Sequence, residues 1–254
     1  VESYIAIKLV YGTMLLLTAA IIAKALRDLG MSSSRTSLIA ALFLINPLSV
    51  YLGFKMMGEV ASIILSACAV ALFITGLRKQ KWQVALALAA GIALTLSALA
   101  SAKMPLLFLA FWIALLCGWL PKEQRKPAIK AGVTTCIAFL ISLPIGVWLL
   151  GGSIHIYFSA LSGFMGFTKR LPMWAFAIFN LGLIGMALWI ITPLAWLSSD
   201  RRSRPIFSLW LFFSTIPILL TTINFMEPRY LVTGLIPFVG LVALGFEAVF
   251  ARMK

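Results

Sequence analysis

What most constrains this chain is a train of about nine long apolar segments, joined by short loops that alternate between rich and poor in Lys and Arg. A run of about 20 apolar residues crosses a bilayer as a helix, because its backbone N–H and C=O groups then satisfy one another where no water can. The rich loops and ends carry Lys24, Arg27 and Arg35; Arg78, Lys79 and Lys81; Lys122, Arg125, Lys126 and Lys130; Arg201, Arg202 and Arg204; then Arg252 and Lys254. The poor set carries Lys55, Lys103, Lys169, Arg170 and Arg229, with Lys8 inside the first segment and near enough its outer end to snorkel. The positive-inside rule makes the rich set cytoplasmic, which leaves Val1 extracytoplasmic and Lys254 cytoplasmic in a multi-pass chain of the cell membrane. Topology does not require the few charges left outside, so these are the candidates for function.

Composition excludes the soluble alternatives. Hydrophobic residues make up 62% of the chain and charged residues 11%, against roughly 45–50% and 25% in a soluble domain. So much apolar surface does not fit inside one core. A net charge of +14 would point to nucleic acid in a soluble protein, but here the cytoplasmic loops account for it and no nucleic-acid partner is expected. Cys68, Cys117 and Cys136 all lie in apolar segments at spacings that fit neither a metal site nor a disulfide framework, and read as small buried residues. An outside start at Val1, without a charged region and cleavage site, reads as a fragment whose upstream span is missing.

The expected fold is an all-α polytopic membrane bundle, one transmembrane domain over residues 1–254. Its spans are read at 4–26, 36–52, 59–77, 82–101, 104–120, 131–150, 173–197, 206–223 and 230–250. Ser32-Ser33-Ser34 makes a turn before the second span, which ends at Asn46-Pro47, where proline frees backbone groups that neighbours or water must satisfy. Residues 121–130 read as a cytoplasmic loop, Pro144 as a kink, and 151–172 as the longest outer segment. Small residues recur every fourth position in the fourth span, at Ala85, Ala89, Ala93, Ser97 and Ser101, a stripe on which another helix can pack closely. No soluble domain, linker or internal repeat is visible.

The outer rim gathers Lys55, Glu59, Lys103, His155, Lys169, Arg170, Glu227 and Arg229. Glu59 opens a span, where a carboxylate either caps free N–H groups or faces a polar cavity and holds a metal, a substrate hydroxyl or a cation. Asn224-Phe225-Met226-Glu227-Pro228-Arg229-Tyr230 puts a carboxylate, a guanidinium and a phenol just before a long apolar helix. That stretch is either an interfacial anchor, with Glu227 paired to Arg229, or a place where the planar fork of Arg229 grips a phosphate. Lys103, in a tight corner beside Pro105, either snorkels or makes a second phosphate contact; Lys169 and Arg170 read as a solvated pair. His155, the one histidine, sits in Ser153-Ile154-His155-Ile156-Tyr157-Phe158, which reads as an amphipathic segment on the membrane surface.

The run from Asn46-Pro47-Leu48-Ser49-Val50-Tyr51 through Gly58-Glu59, leading into a long apolar helix, resembles a pattern in C-type membrane glycosyltransferases. So does the late Glu227-Pro228-Arg229-Tyr230-Leu231, with Pro237 further along. That family includes the dolichyl-phosphate-mannose protein mannosyltransferases and the bacterial aminoarabinose transferases that modify lipid A. The resemblance implies a polyprenyl-phosphate-linked sugar donor, a lipid, glycan or protein acceptor, and an active site open to the outer side. It also implies that Arg229, Lys103 and Lys55 meet the donor phosphate, and that Glu59 helps bind the donor or a divalent metal ion. In that family the catalytic base lies on the first large outer loop, after the first span; the base is therefore expected upstream of Val1, and its role does not pass to Glu2.

The chemistry implied is inverting transfer, in which the acceptor attacks the anomeric carbon and polyprenyl phosphate leaves. Cations fixed near that phosphate stabilise the charge that builds on it. Two readings from other classes stand beside this one. A transporter or lipid flippase would carry ionisable residues at mid-membrane depth, where this chain has mainly Ser, Thr and Asn. A non-catalytic assembly subunit would need no base.

Overall fold

The computed structural model describes residues 2–55, 58–101, 105–116, 120, 122–155, 239–240 and 243, and all regular structure among them is helical. Seven α-helices follow one another: α1 (Glu2–Asp28), α2 (Ser33–Ile45), α3 (Pro47–Lys55), α4 (Gly58–Arg78), α5 (Gln83–Ala100), α6 (Pro105–Ala114) and α7 (Lys122–Leu149). A 3₁₀ turn over Gln80–Trp82 leads into α5. Among the described residues, four stretches are long and apolar enough to cross a membrane, 5–28, 58–78, 80–100 and 122–149. The expected spans at 173–197, 206–223 and 230–250 lie outside the described residues, apart from helical positions 239, 240 and 243.

Local chemistry fixes the helix ends. Gly30 has φ +93°, and its N–H bonds Arg27 O while Met31 N–H bonds Leu26 O. This is a closing motif that needs a left-handed residue, so glycine stands there. Gly151, with φ +76°, closes α7 in the same way through Trp148 O and Val147 O. Of the three serines read as a turn, Ser32 caps α2, its side chain accepting from Arg35 N. Glu59 and Glu123 open α4 and α7, while Arg27 and Arg78 close α1 and α4, each matching the helix dipole.

Two expectations are corrected. The second span is broken. At 13 residues, α2 rises about 20 Å and falls short of the roughly 30 Å of a bilayer core. It stops because the ring of Pro47 pushes Asn46 out of helical geometry, to φ −61° and ψ 133°, and Pro47 then starts α3 at the position where its missing N–H is harmless. Gly53 of α3 packs on Leu15, about half-way along α1. The supposed loop 121–130 is, from Lys122 on, the first turns of α7, unbroken at both Pro127 and Pro144. Charged side chains there had looked like loop, but straight-chain Lys, Glu, Gln and Arg are good helix formers.

The helices pack as a band. α1 lies against α2, α3 and α4; α5 is sandwiched between α4 and α7; and α6 leans on α4 and α5. The core holds Ala69 and Phe73 of α4, Ala87, Ala90 and Leu94 of α5, Phe108 of α6, and Ala128 and Ala131 of α7. Phe73 and Phe108 meet edge to face, with ring centroids 5.4 Å apart. On α5 the expected stripe is half right. Ala93 and Ser97 are buried, Ala89 is half-buried and Ala85 is exposed. A second stripe, Ala87, Gly91 and Thr95, is buried as well and faces α7, where Thr135 Oγ1 donates to Ala87 O at 3.1 Å and Thr95 Oγ1 meets Ser142 Oγ.

These contacts fix which helix ends lie together. Asp28 of α1 takes both Lys24, at 3.0 Å, and Arg78 of α4. Gln83 Nε2 donates to Pro127 O at 2.9 Å, joining the starts of α5 and α7. The basic ends of α1, α4 and α7 and the start of α5 therefore share one end of the bundle, and Glu59 lies toward the other.

Candidate functional site at the Glu59 end

Glu59 stands in the first turn of α4 and is half-buried. What fixes this turn is the end of α5. A Cβ on Gly58 would come within 3.2 Å of Ala100 O, so the two backbones nearly touch. One turn deeper lies a knot of fully buried serines. Ser62 Oγ donates to Ser97 O at 2.8 Å and Ser97 Oγ to Ser62 O at 2.9 Å, while Ser66 Oγ sits 2.7 Å from Ser97 Oγ. In that pattern each hydroxyl donates once and none is orphaned, which a dry interface requires.

The knot went unread in the sequence, although a signal was there. Ser62 and Ser66 are four apart, and so are Ser97 and Ser101 on the neighbouring segment. Equal one-turn spacings on two consecutive antiparallel helices let hydroxyls interleave. The knot locks the N-terminus of α4 to the C-terminus of α5, so the position of Glu59 relative to Ser101, two residues before Lys103, is set by side-chain hydrogen bonds.

The break before α3 adds another polar layer. Asn46 is 7% exposed and Ser49 is wholly buried, its Oγ without a hydrogen-bond partner among the described residues. Lys55 ends α3, three residues before Gly58. His155 is helical, beyond the end of α7, and exposed. The end of α7 packs beside that of α5, through Val147 and Leu143 on Ala98. Glu59 and the segment carrying His155 thus belong to one end of the bundle. Lys103, Arg229, Glu227 and Tyr230, with Lys169 and Arg170, lie outside the described residues.

Among the described residues, no three His, Cys, Asp or Glu side chains gather to hold a metal ion. Glu59 supplies a single carboxylate where a divalent ion such as Ca²⁺ or Mg²⁺ takes about six oxygen ligands or more, so the described residues do not fit a metal site.

The class that fold and site define is a helical membrane protein with one cationic end and, at the other, a carboxylate seated on a serine-tied helix pair. No known protein family, curated protein or solved structure matches this chain.

Proposed function

We propose that this protein transfers a sugar from a polyprenyl-phosphate donor to an acceptor on the extracytoplasmic face, in the manner of the C-type membrane glycosyltransferases. The observation that carries the reading is the setting of Glu59. It follows a proline-broken span, opens a long apolar helix, and lies at the end of the bundle opposite the basic helix ends. With the basic ends in the cytoplasm, Glu59 and the rim cations face the outer side, where the donor's phosphate would sit in the headgroup layer and its tail between helices.

In this reading Glu59 accepts hydrogen bonds from the sugar hydroxyls and orients the anomeric carbon. Arg229, Lys103 and Lys55 meet the phosphate, with Glu227 and Tyr230 beside Arg229 and His155 a further rim candidate. A carboxylate base takes the acceptor's proton; the C–O bond to the sugar forms as the bond to the polyprenyl phosphate breaks. Charge grows on the departing phosphate, so fixed cations favour the transition state over the bound donor.

The test is sugar transfer from a radiolabelled polyprenyl-phosphate monosaccharide in membranes containing the protein. Glu59→Gln and Arg229→Ala should each lower turnover by about a hundredfold, the usual order for losing one electrostatic stabiliser, with the thermal midpoint lowered by no more than about 4 °C. Wild-type turnover in both would remove these residues from the reaction.

The broken α2–α3 span favours a second reading. Discontinuous helices with buried polar groups such as Asn46 and Ser49 are also how transporters build substrate sites. Flux of a polyprenyl-phosphate sugar across proteoliposomes, without transfer, would support a flippase instead.

A further inference from the structure

The first turns of α7 carry Lys122, Arg125, Lys126 and Lys130, with Glu123 the one acidic side chain among residues 122–130. Because α7 is helical from Lys122, these charges are arranged rather than dispersed. Lys122, Lys126 and Lys130 recur one turn apart and all three are exposed. Down the same helix the stripe continues as Val133, Ile137 and Ile141, each between 43% and 61% exposed. Steps of three and four residues keep all six on one face. A cationic strip thus sits directly above an apolar one that no described residue covers.

That alignment has the shape of a phospholipid. Acyl chains lying on Val133, Ile137 and Ile141 bring their own headgroup to Lys122, Lys126 and Lys130, about 12 Å of helix at 1.5 Å per residue. The exposed Lys81 and Trp82 lie next to Gln83, whose amide is bonded to Pro127 of α7, and so add a further cation and an interfacial aromatic.

We propose that this face of α7 is a binding site for an anionic phospholipid, its headgroup met by the ladder of Lys122, Lys126 and Lys130. The site is independent of the sugar-transfer reading and lies at the opposite end of the bundle from Glu59.

The test uses the full chain in nanodiscs of equimolar phosphatidylglycerol and phosphatidylcholine with identical acyl chains, followed by detergent release and native mass spectrometry of the retained lipid. Phosphatidylglycerol should be retained over phosphatidylcholine by about fivefold or more, the gain from one lysine near an anionic surface. The preference should weaken as salt is raised. The variant K122Q/K126Q/K130Q should bring the ratio close to one, while K24Q/R27Q/R35Q, with the same charge removed from the α1–α2 corner, should leave it high. Equal retention of the two lipids by the wild type would overturn the proposal. So would an unchanged ratio in the α7 variant, an equal fall in the corner variant, or a dimer mass without retained lipid, which would mean that a second copy covers this face.

Discussion

Gly12 and Gly91 look alike in sequence, each a lone glycine inside a long apolar helix, and the structure predicts opposite outcomes when they become alanine. Replacing an unconstrained helical glycine by alanine stabilises by about 0.8–1.0 kcal/mol. At Gly12 nothing among the described residues lies within 4 Å of the added Cβ, so that gain stands alone. At Gly91 the new Cβ would sit 2.5 Å from Ala138 Cβ, 2.7 Å from Thr135 O and 3.0 Å from Phe139 N. Two of these are backbone atoms that no rotamer change can move, and carbon contacts prefer about 3.5–4.0 Å, so α7 must retreat from α5 by roughly 1 Å.

Overpacking of this kind costs about 1–3 kcal/mol, here toward the upper end. The retreat also stretches the hydrogen bonds of Thr135 to Ala87 O and of Thr95 to Ser142, each worth about 0.6 kcal/mol in a membrane. After subtracting the propensity gain, Gly91→Ala should destabilise by about 2–3 kcal/mol. At about 2–4 °C per kcal/mol, the thermal midpoint of the detergent-solubilised protein should fall by roughly 4–12 °C, against a rise of a few degrees for Gly12→Ala. A Gly91→Ala midpoint equal to wild type would refute the α5–α7 packing. A fall at Gly12 would mean that α1 is covered there after all.

Three further outcomes follow from the same contacts. Ser97→Ala removes the acceptor for Ser66 and the donor to Ser62 O, and should destabilise by about 1–2 kcal/mol. In a double-mutant cycle with Ser66→Ala the two effects should fall short of additivity, and strict additivity would dissolve the knot. Gly132→Ala would drive a Cβ into the Trp112 indole, whose Nε1 donates to Ala128 O at 3.1 Å. Its midpoint should fall further than that of Trp112→Phe, which loses only the hydrogen bond, and the reverse order would be fatal to this account. Because Asp28 joins the ends of α1 and α4, cysteines placed at Met31 and Lys81 should be labelled by an impermeant maleimide from the same side of sealed vesicles. Labelling from opposite sides would break the topology.

Much of the site was legible and much was not. Glu59 as the residue opening an apolar helix follows from pattern alone, since a carboxylate beside free N–H groups needs no tertiary partner. The break at Asn46-Pro47 was legible as a place of freed backbone groups, but a proline at a span's end and one that splits a span look the same in a string of letters. The Ser62–Ser66–Ser97 knot was missed because serine is compatible with lipid-facing, helix-facing and back-bonded positions alike, and only the neighbouring helix selects among them.

By itself the sequence determined that this chain is helical and built for a membrane, and which helix ends are basic, because a backbone in hydrocarbon must satisfy its own polar groups and charges must stay at the ends. Tertiary structure alone decided which face of each helix meets protein and which meets lipid. Lipid tails are as apolar as leucine, so hydrophobicity cannot distinguish Gly12, against which no described residue packs, from Gly91, pressed against α7. Close contact between backbones does, and it also turned the charged stretch before α7 from a supposed loop into a ladder of cations over an apolar face.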